Sequence, residues 1–338
     1  MTTSPTWTLT RTYPRLWSLE EGTAMVVTDL HGDWDAYQRY RDRFVALQAQ
    51  GQADGLILMG DLIHRSSPPD HSLEMVMDVM ALQEHYGDAV VYLCGNHELP
   101  HIYTFLLVSG QREFTSSFEA AMSQSGQRST IVQLFRSLPF FLRTRAGVSL
   151  THAGGSRVMA NEGYAHTLYH WDHQHYLDWA SARLVQTEDL DALHDAYARA
   201  YQMDSYDEVV RSYLAVSGPD DPRYDDLVRG DIVTDHPDFA LVWDLLFTRC
   251  EQTHELALYD GIVELMLHQL SAEFAPQRVL VAGHMNTPGG HRVVGGRHLR
   301  LSSAKNAQPR EAGQYLLFDT AHPVRGVDDL RQGLQSVF

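Results

Sequence analysis

Five times along this 338-residue chain a short apolar run stops within a few residues of a side chain that can bind a metal ion. The runs lie in "TAMVVTDLHGD" (23–33), "GLILMGD" (55–61), "AVVYLCGNHE" (89–98), "FRSLPFFLRTRAGVSLTHAGG" (135–155) and "RVLVAGHMNTPGG" (278–290). They deliver Asp29 and His31, Asp61, Asn96 and His97, His152, and His284. Continuous Val/Ile/Leu runs of this length read as strands buried on both faces, as in a parallel sheet covered by other layers. Between the first three runs, Trp34, Tyr37, Phe44 and Leu47 recur at helical spacing over 34–50, and a second helical stretch spans 71–86. This β-α-β-α-β rhythm predicts an α/β fold, a β-sandwich flanked by helices.

From about Ala160 to Glu273 the pattern becomes helix-rich, acidic and aromatic, with a turn-like break at "SGPDDPRYDD" (217–226). The strand-and-ligand pattern then resumes, and 297–320 reads as two strands joined by a loop. We therefore expect one domain over 1–338, with a helical insertion at 160–235 that lines the active-site cleft.

Charge and composition exclude several roles. The formal charge is −17, and 186–255 holds seventeen Asp and Glu against five Arg. Such a surface repels a phosphodiester backbone, so a nucleic-acid partner is not expected. The two cysteines, Cys94 and Cys250, show no pairing pattern, as in a reducing compartment. Residues 1–22 lack a basic start and an apolar core, and no apolar run reaches the roughly 18 residues that span a bilayer. The expectation is a soluble, cytoplasmic protein with no membrane partner.

A lone Asp or His at a strand end is ordinarily a cap or a turn residue. Five in succession point elsewhere, because residues just past the C-terminal ends of sheet strands converge on one crevice. Asp29 and His31, two apart on an extended segment, would face the same side. Carboxylate, imidazole and amide oxygen together suit divalent ions such as manganese, iron or zinc. Gly95, ahead of Asn96 and His97, would let the backbone pack closely at that turn.

The motifs "DLHGD", "GDLIHR", "GNHE", "THAG" and "AGH" occur in the order and approximate spacing of the calcineurin-like metallophosphoesterases. Within that superfamily the chain resembles the phosphoprotein phosphatases, the serine/threonine protein phosphatase family. "SLPFFL", "VWDLLF" (242–247) and "LRLSSAKN" (299–306) extend the likeness, which covers roughly 23–155 and 240–320. The resemblance implies a metallophosphoesterase fold and two divalent ions, manganese first, with iron or zinc as the other candidates. Asp29 and His31 would hold one ion, Asp61 would bridge both, and Asn96, His152 and His284 would complete the second. A hydroxide bridging ions about 3.5–4 Å apart would attack a phosphate monoester in line. His97 would protonate the leaving oxygen, and Arg65 would grip phosphate oxygens, with Arg249 as a second candidate arginine. The implied substrate is a phosphorylated protein, peptide or small phosphoester.

The match departs from the family at two places. His64 stands where the family has the aspartate that partners the acid histidine, and Asp33 is the nearest carboxylate in sequence to compensate. Cys94 replaces an arginine that contacts phosphate. Asn286 stands where other branches of the superfamily have a second histidine, an absence shared with the protein phosphatases that supports the resemblance. Dinucleoside tetraphosphate hydrolases also lack the aspartate at His64, but usually have Gly-Asn-His-Asp where this chain has "GNHE"; they supply the alternative reading. A scaffold without activity is a third, opposed by retention of all seven metal- and proton-handling residues. Finally, "HTLYHWDHQH" (166–175) invites a third metal site, since His166 and His170 are four apart.

Overall fold

A computed structural model describes residues 7–338. The chain forms two compact units. One takes 7–96, 138–171 and 241–338, the other 97–137 and 172–240.

The first unit holds two sheets. The larger has seven strands in the order Thr8–Tyr13, Leu16–Glu21, Phe141–Thr144, Val148–Thr151, Val279–Ala282, His298–Leu301 and His291–Val294. The smaller has five, in the order Leu334–Ser336, Gln314–Asp319, Thr23–Val27, Gly55–Leu58 and Val90–Tyr92. Their inner faces share one core, in which Leu19, Leu142, Leu150 and Val281 of the larger sheet meet Val26, Ile57, Val91 and Leu316 of the smaller. This is the expected sandwich.

The runs show no polar alternation because both faces are covered: Gly55–Leu58 and Val279–Ala282 are buried at every position. Thr23–Val27, Gly55–Leu58 and Val90–Tyr92 pair in parallel, as do Val148–Thr151, Val279–Ala282 and His298–Leu301. Parallel pairing brings the C-terminal ends of neighbouring strands to one edge, which is what gathers the polar residues that follow them. The helix Trp34–Ala49 buries Ala36, Tyr37, Tyr40, Phe44 and Leu47 along one face, and the Asp33 carboxylate accepts from the Ala36 N–H at its start.

The second unit is helical, with Thr115–Ser125, Arg128–Ser137, His173–Val185, Leu190–Ala200, Tyr206–Leu214 and Asp226–Thr234 as its main elements. Tyr206, Val209, Val210, Leu214, Leu227 and Val228 form an apolar cluster within it. It draws on 97–137 as well as 172–240, so the helical part is two stretches of chain, and Glu162–Tyr169 belongs with the sheets.

Candidate metal centre

Asp29 lies two residues past Thr23–Val27 and is fully buried. Its two oxygens accept from the His284 N–H at 2.8 and 2.9 Å. Asp29 and His31 have φ of +41° and +46°. The segment is therefore a left-handed turn, and the period-two argument for their shared side does not apply to it. What orients them is the turn, tied to the next strand end by His31 N–H to Asp61 O (2.9 Å) and Gly32 N–H to Leu62 O (2.6 Å). Asp61 and His284 also have positive φ, +53° and +71°. For an L-residue this conformation costs roughly 1–2 kcal/mol, and it persists only where the surroundings over-determine it.

Two glycines make the approach possible. A Cβ on Gly60 would sit 2.6 Å from the Gly95 backbone and 3.0 Å from His152 Nδ1. A Cβ on Gly283 would fall 2.1 Å from Asp29 Oδ2. The close packing expected at Gly95 is present, with Gly60 as the residue that has no room for a side chain.

His152 is buried, and its Nδ1–H donates to the Met59 carbonyl at 2.9 Å. In the neutral ring Nε2 then carries a lone pair. Facing that atom are Asn96 Oδ1 at 2.9 Å, His284 Nδ1 at 3.1 Å and Asp61 Oδ2 at 3.4 Å. His31 is set in the same way, with Nδ1–H on the Ile63 carbonyl at 3.0 Å and Nε2 3.5 Å from Asp61 Oδ2. Backbone carbonyls thus fix both imidazoles so that Nε2 points inward, an arrangement typical of histidine ligands. Ligand atoms of Asp61, His152 and His284 all lie within 4.8 Å of one another.

The electrostatics agree. Burial works against a charge on His152, but the Asp61 carboxylate, with Asp29, overrides it and lifts the pKa to about 9. Burial raises the Asp29 pKa, and the neighbouring Asp61 adds to the rise. Burial and the adjacent His152 drive His284 well below the ordinary histidine range. The field favours positive charge amid these donors, and a divalent ion is a charge they can share. The donor set therefore fits a metal.

The remaining candidates are placed as follows. Arg65 is half-buried, with Nη1 3.3 Å from Asp33 Oδ1. Arg310 donates to the same carboxylate through Nε (2.7 Å) and Nη2 (3.0 Å), so Asp33 is held between two arginines while capping its helix. His64 is buried at φ +71° and donates its N–H to Ser72 Oγ at 2.8 Å. Arg249 is exposed, at the start of Cys250–Thr253, and its charge is felt at His284. His97 is half-buried, with its ring edge-on to Phe114 at 5.5 Å. Cys94 is buried and donates its N–H to Pro139 O. In the histidine-rich stretch, His166 packs its ring on His170 at 4.1 Å, while His173 Nδ1 bonds the Tyr103 hydroxyl at 2.6 Å. Among the described residues, none of the groups close enough to share an ion includes a residue of 166–175. Arg300 and Glu251, which the sequence did not single out, meet in a buried pair beside the His152 and His284 turns.

A protein serine/threonine phosphatase from Saccharomyces cerevisiae superposes with a TM-score of 0.51 at 14% identity, over 96% of this chain and 82% of its own. A cold-active protein-tyrosine phosphatase from a psychrophilic Shewanella gives 0.47 at 17% identity, over 90% and 77%. At such identities the first likeness speaks to the fold. No curated protein matches the sequence. The family model for calcineurin-like phosphoesterases matches residues 22–220, which is more than half the chain. With the buried His/Asp cluster at the strand ends, the chain belongs to the calcineurin-like phosphoesterases and is a metal-dependent phosphoesterase.

Proposed function

We propose that the protein is a dinuclear phosphomonoesterase of the serine/threonine phosphatase type, acting on a phosphorylated protein, peptide or small phosphoester. The observation that carries this reading is the inward-facing Nε2 of His152, ringed by Asn96, His284 and Asp61. Asp29 and His31 would hold one ion, Asp61 both, and Asn96, His152 and His284 the other. Manganese suits this mix of oxygen and imidazole donors, with iron or zinc as the alternatives. When bound, such a pair neutralises phosphoryl oxygens and makes water a nucleophile at neutral pH.

The chain's own residues supply the rest. Arg65, steadied by Asp33, would present two N–H groups to phosphate oxygens, the geometry a guanidinium offers and an ammonium does not. Arg249 would add a second, exposed cation. His97 follows Asn96 directly, so the turn that contributes an amide ligand also contributes the proton for the leaving oxygen.

The test is an assay of manganese-reconstituted wild type and Asp61→Asn. Phosphoserine, phosphothreonine and phosphotyrosine peptides are compared with a dinucleoside tetraphosphate. Peptide turnover that disappears in Asp61→Asn supports the reading. One observation favours the nucleotide alternative: His64, where a protein phosphatase has aspartate. Preference for the dinucleotide would move the enzyme there.

A further inference from the structure

Arg300 is 1% exposed, on a strand of the larger sheet. Its Nη1 donates to two carbonyls, Ala153 O at 2.9 Å and Gly283 O. Ala153 directly follows His152, and Gly283 directly precedes His284. One nitrogen therefore clasps the two turns whose imidazoles face each other at 3.1 Å. The turns are also joined by Gly283 N–H to His152 O, at 2.9 Å.

Burying a guanidinium is costly, and a buried counter-charge offsets part of that cost. Nη2 of Arg300 meets Glu251 Oε2 at 2.5 Å, and the Glu251 side chain is itself 2% exposed. The other Glu251 oxygen accepts from Arg292, whose side chain is half-exposed. A second strut stands beside this one. The Tyr259 hydroxyl accepts from the Gly155 N–H at 3.1 Å and shares a hydrogen bond with His298 Nδ1 at 2.7 Å. The paired glycines after His152 are what let the loop rest on these groups. A Cβ on Gly154 would lie 2.7 Å from Arg300 Nη2, and one on Gly155 3.1 Å from the Tyr259 hydroxyl.

We infer that the buried Glu251–Arg300 pair is a positioning device that sets the spacing of His152 and His284 as metal ligands. It rests on the reading of those histidines as ligands, and neither residue touches the reacting atoms. Lysine at 300 could serve the two carbonyls from its one nitrogen, or Glu251, but not all three, because it lacks the second nitrogen of the guanidinium fork. Glutamine at 251 keeps the shape but leaves the guanidinium charge unbalanced.

The experiment is calorimetric titration of metal-free protein with Mn²⁺, beside melting temperatures and phosphatase turnover, for wild type, Arg300→Lys, Glu251→Gln and Arg292→Ala. Leu142→Ala, a core truncation in the same sheet, controls for general destabilisation. Arg300→Lys and Glu251→Gln should weaken Mn²⁺ binding roughly 10- to 100-fold, the usual effect of losing a group that orients a ligand. Arg292→Ala, and Leu142→Ala even where it melts lower, should bind within about twofold of wild type. If both pair variants fail to fold, Tyr259→Phe carries the test through the second strut, with a several-fold loss expected. Mn²⁺ affinity unchanged in the pair variants, or lowered no more than in Leu142→Ala, overturns the inference while leaving the proposed function standing. Wild type that binds no Mn²⁺ overturns both. Wild type that binds Mn²⁺ without hydrolysing phosphoesters overturns the function alone, since the pair is judged on affinity.

Discussion

Two buried carboxylates, one in each unit, show what separates a structural charge from a functional one. Glu119, in the helical unit, is fully buried and surrounded by donors: His101 at 2.8 Å, Arg128 at 2.6 Å and Arg223 at 2.9 Å. Burial alone would raise its pKa, but His101 and Arg128 pull it down to about 2. Asp29, in the sandwich unit, is equally buried, yet its carboxyl is raised. Its hydrogen bonds come from one backbone N–H, and a second carboxylate, Asp61, lies in its field. Evolution has neutralised Glu119 with side chains of the chain itself. At Asp29 and Asp61 we propose that a metal ion taken from solution supplies the neutralising charge.

The contrast gives a graded set of expectations. The largest is Asp61→Asn, which should bring phosphoester turnover down to that of chelator-stripped wild type while the protein still folds, as read by circular dichroism. Next is Gly283→Ala. Its added methyl would press on Asp29 Oδ2, so manganese affinity should fall by about tenfold or more, with the melting temperature also lowered by the buried overlap. In the helical unit the effects reverse. Glu119→Gln leaves the buried His101 and the half-buried Arg128 without their carboxylate and should cost about 3 kcal/mol of stability, with manganese binding unchanged. Its pH signature follows from the sign of the shift. The folded pKa of about 2 lies below the ordinary 4.5, so between these values the unfolded chain binds the extra proton. The stabilisation is complete above about pH 4.5 and is lost as the pH falls toward 2, and Glu119→Gln should flatten that part of a melting-temperature profile. The smallest effect concerns the leaving group. His64 stands where an aspartate would bring negative charge, so the proposed donor His97 should protonate a poor leaving group slowly. Alkyl phosphates should then turn over more slowly than aryl phosphates, a gap that His64→Asp narrows; equal rates would remove the argument.

Much of the sandwich was legible because its signal is local. A run such as "GLIL" or "VLVA" has no alternation to confuse its reading, and the polar residue that ends it sits in the next turn. The ligand-type residues at the five strand ends were legible for the same reason. The physical cause of their convergence was not, since nothing in "DLHGD" announces φ of +41° and +46° at Asp29 and His31. The N-terminal hairpin, Thr8–Tyr13 with Leu16–Glu21, went unread because its first strand is largely exposed and looks like a polar leader. The helical unit was read as one stretch, whereas the 97–137 segment joins it through long-range contacts such as Arg223 with Glu119. Arg300 escaped because "RHLRL" has the alternation of a half-exposed strand, yet all of His298–Leu301 is buried. Its partner Glu251 lies 49 residues away, beyond the reach of any local pattern.

The central claim is that these strand ends form a two-ion centre organised by Asp61. The most direct measurement is the manganese content of equilibrium-dialysed wild type and Asp61→Asn, with electron paramagnetic resonance to detect spin coupling between bound ions. Two coupled ions per wild-type chain, and loss of both the coupling and at least one ion in Asp61→Asn, is the predicted result. A single uncoupled ion in a fully active wild type, or an Asp61→Asn protein that keeps the coupled pair, would contradict it.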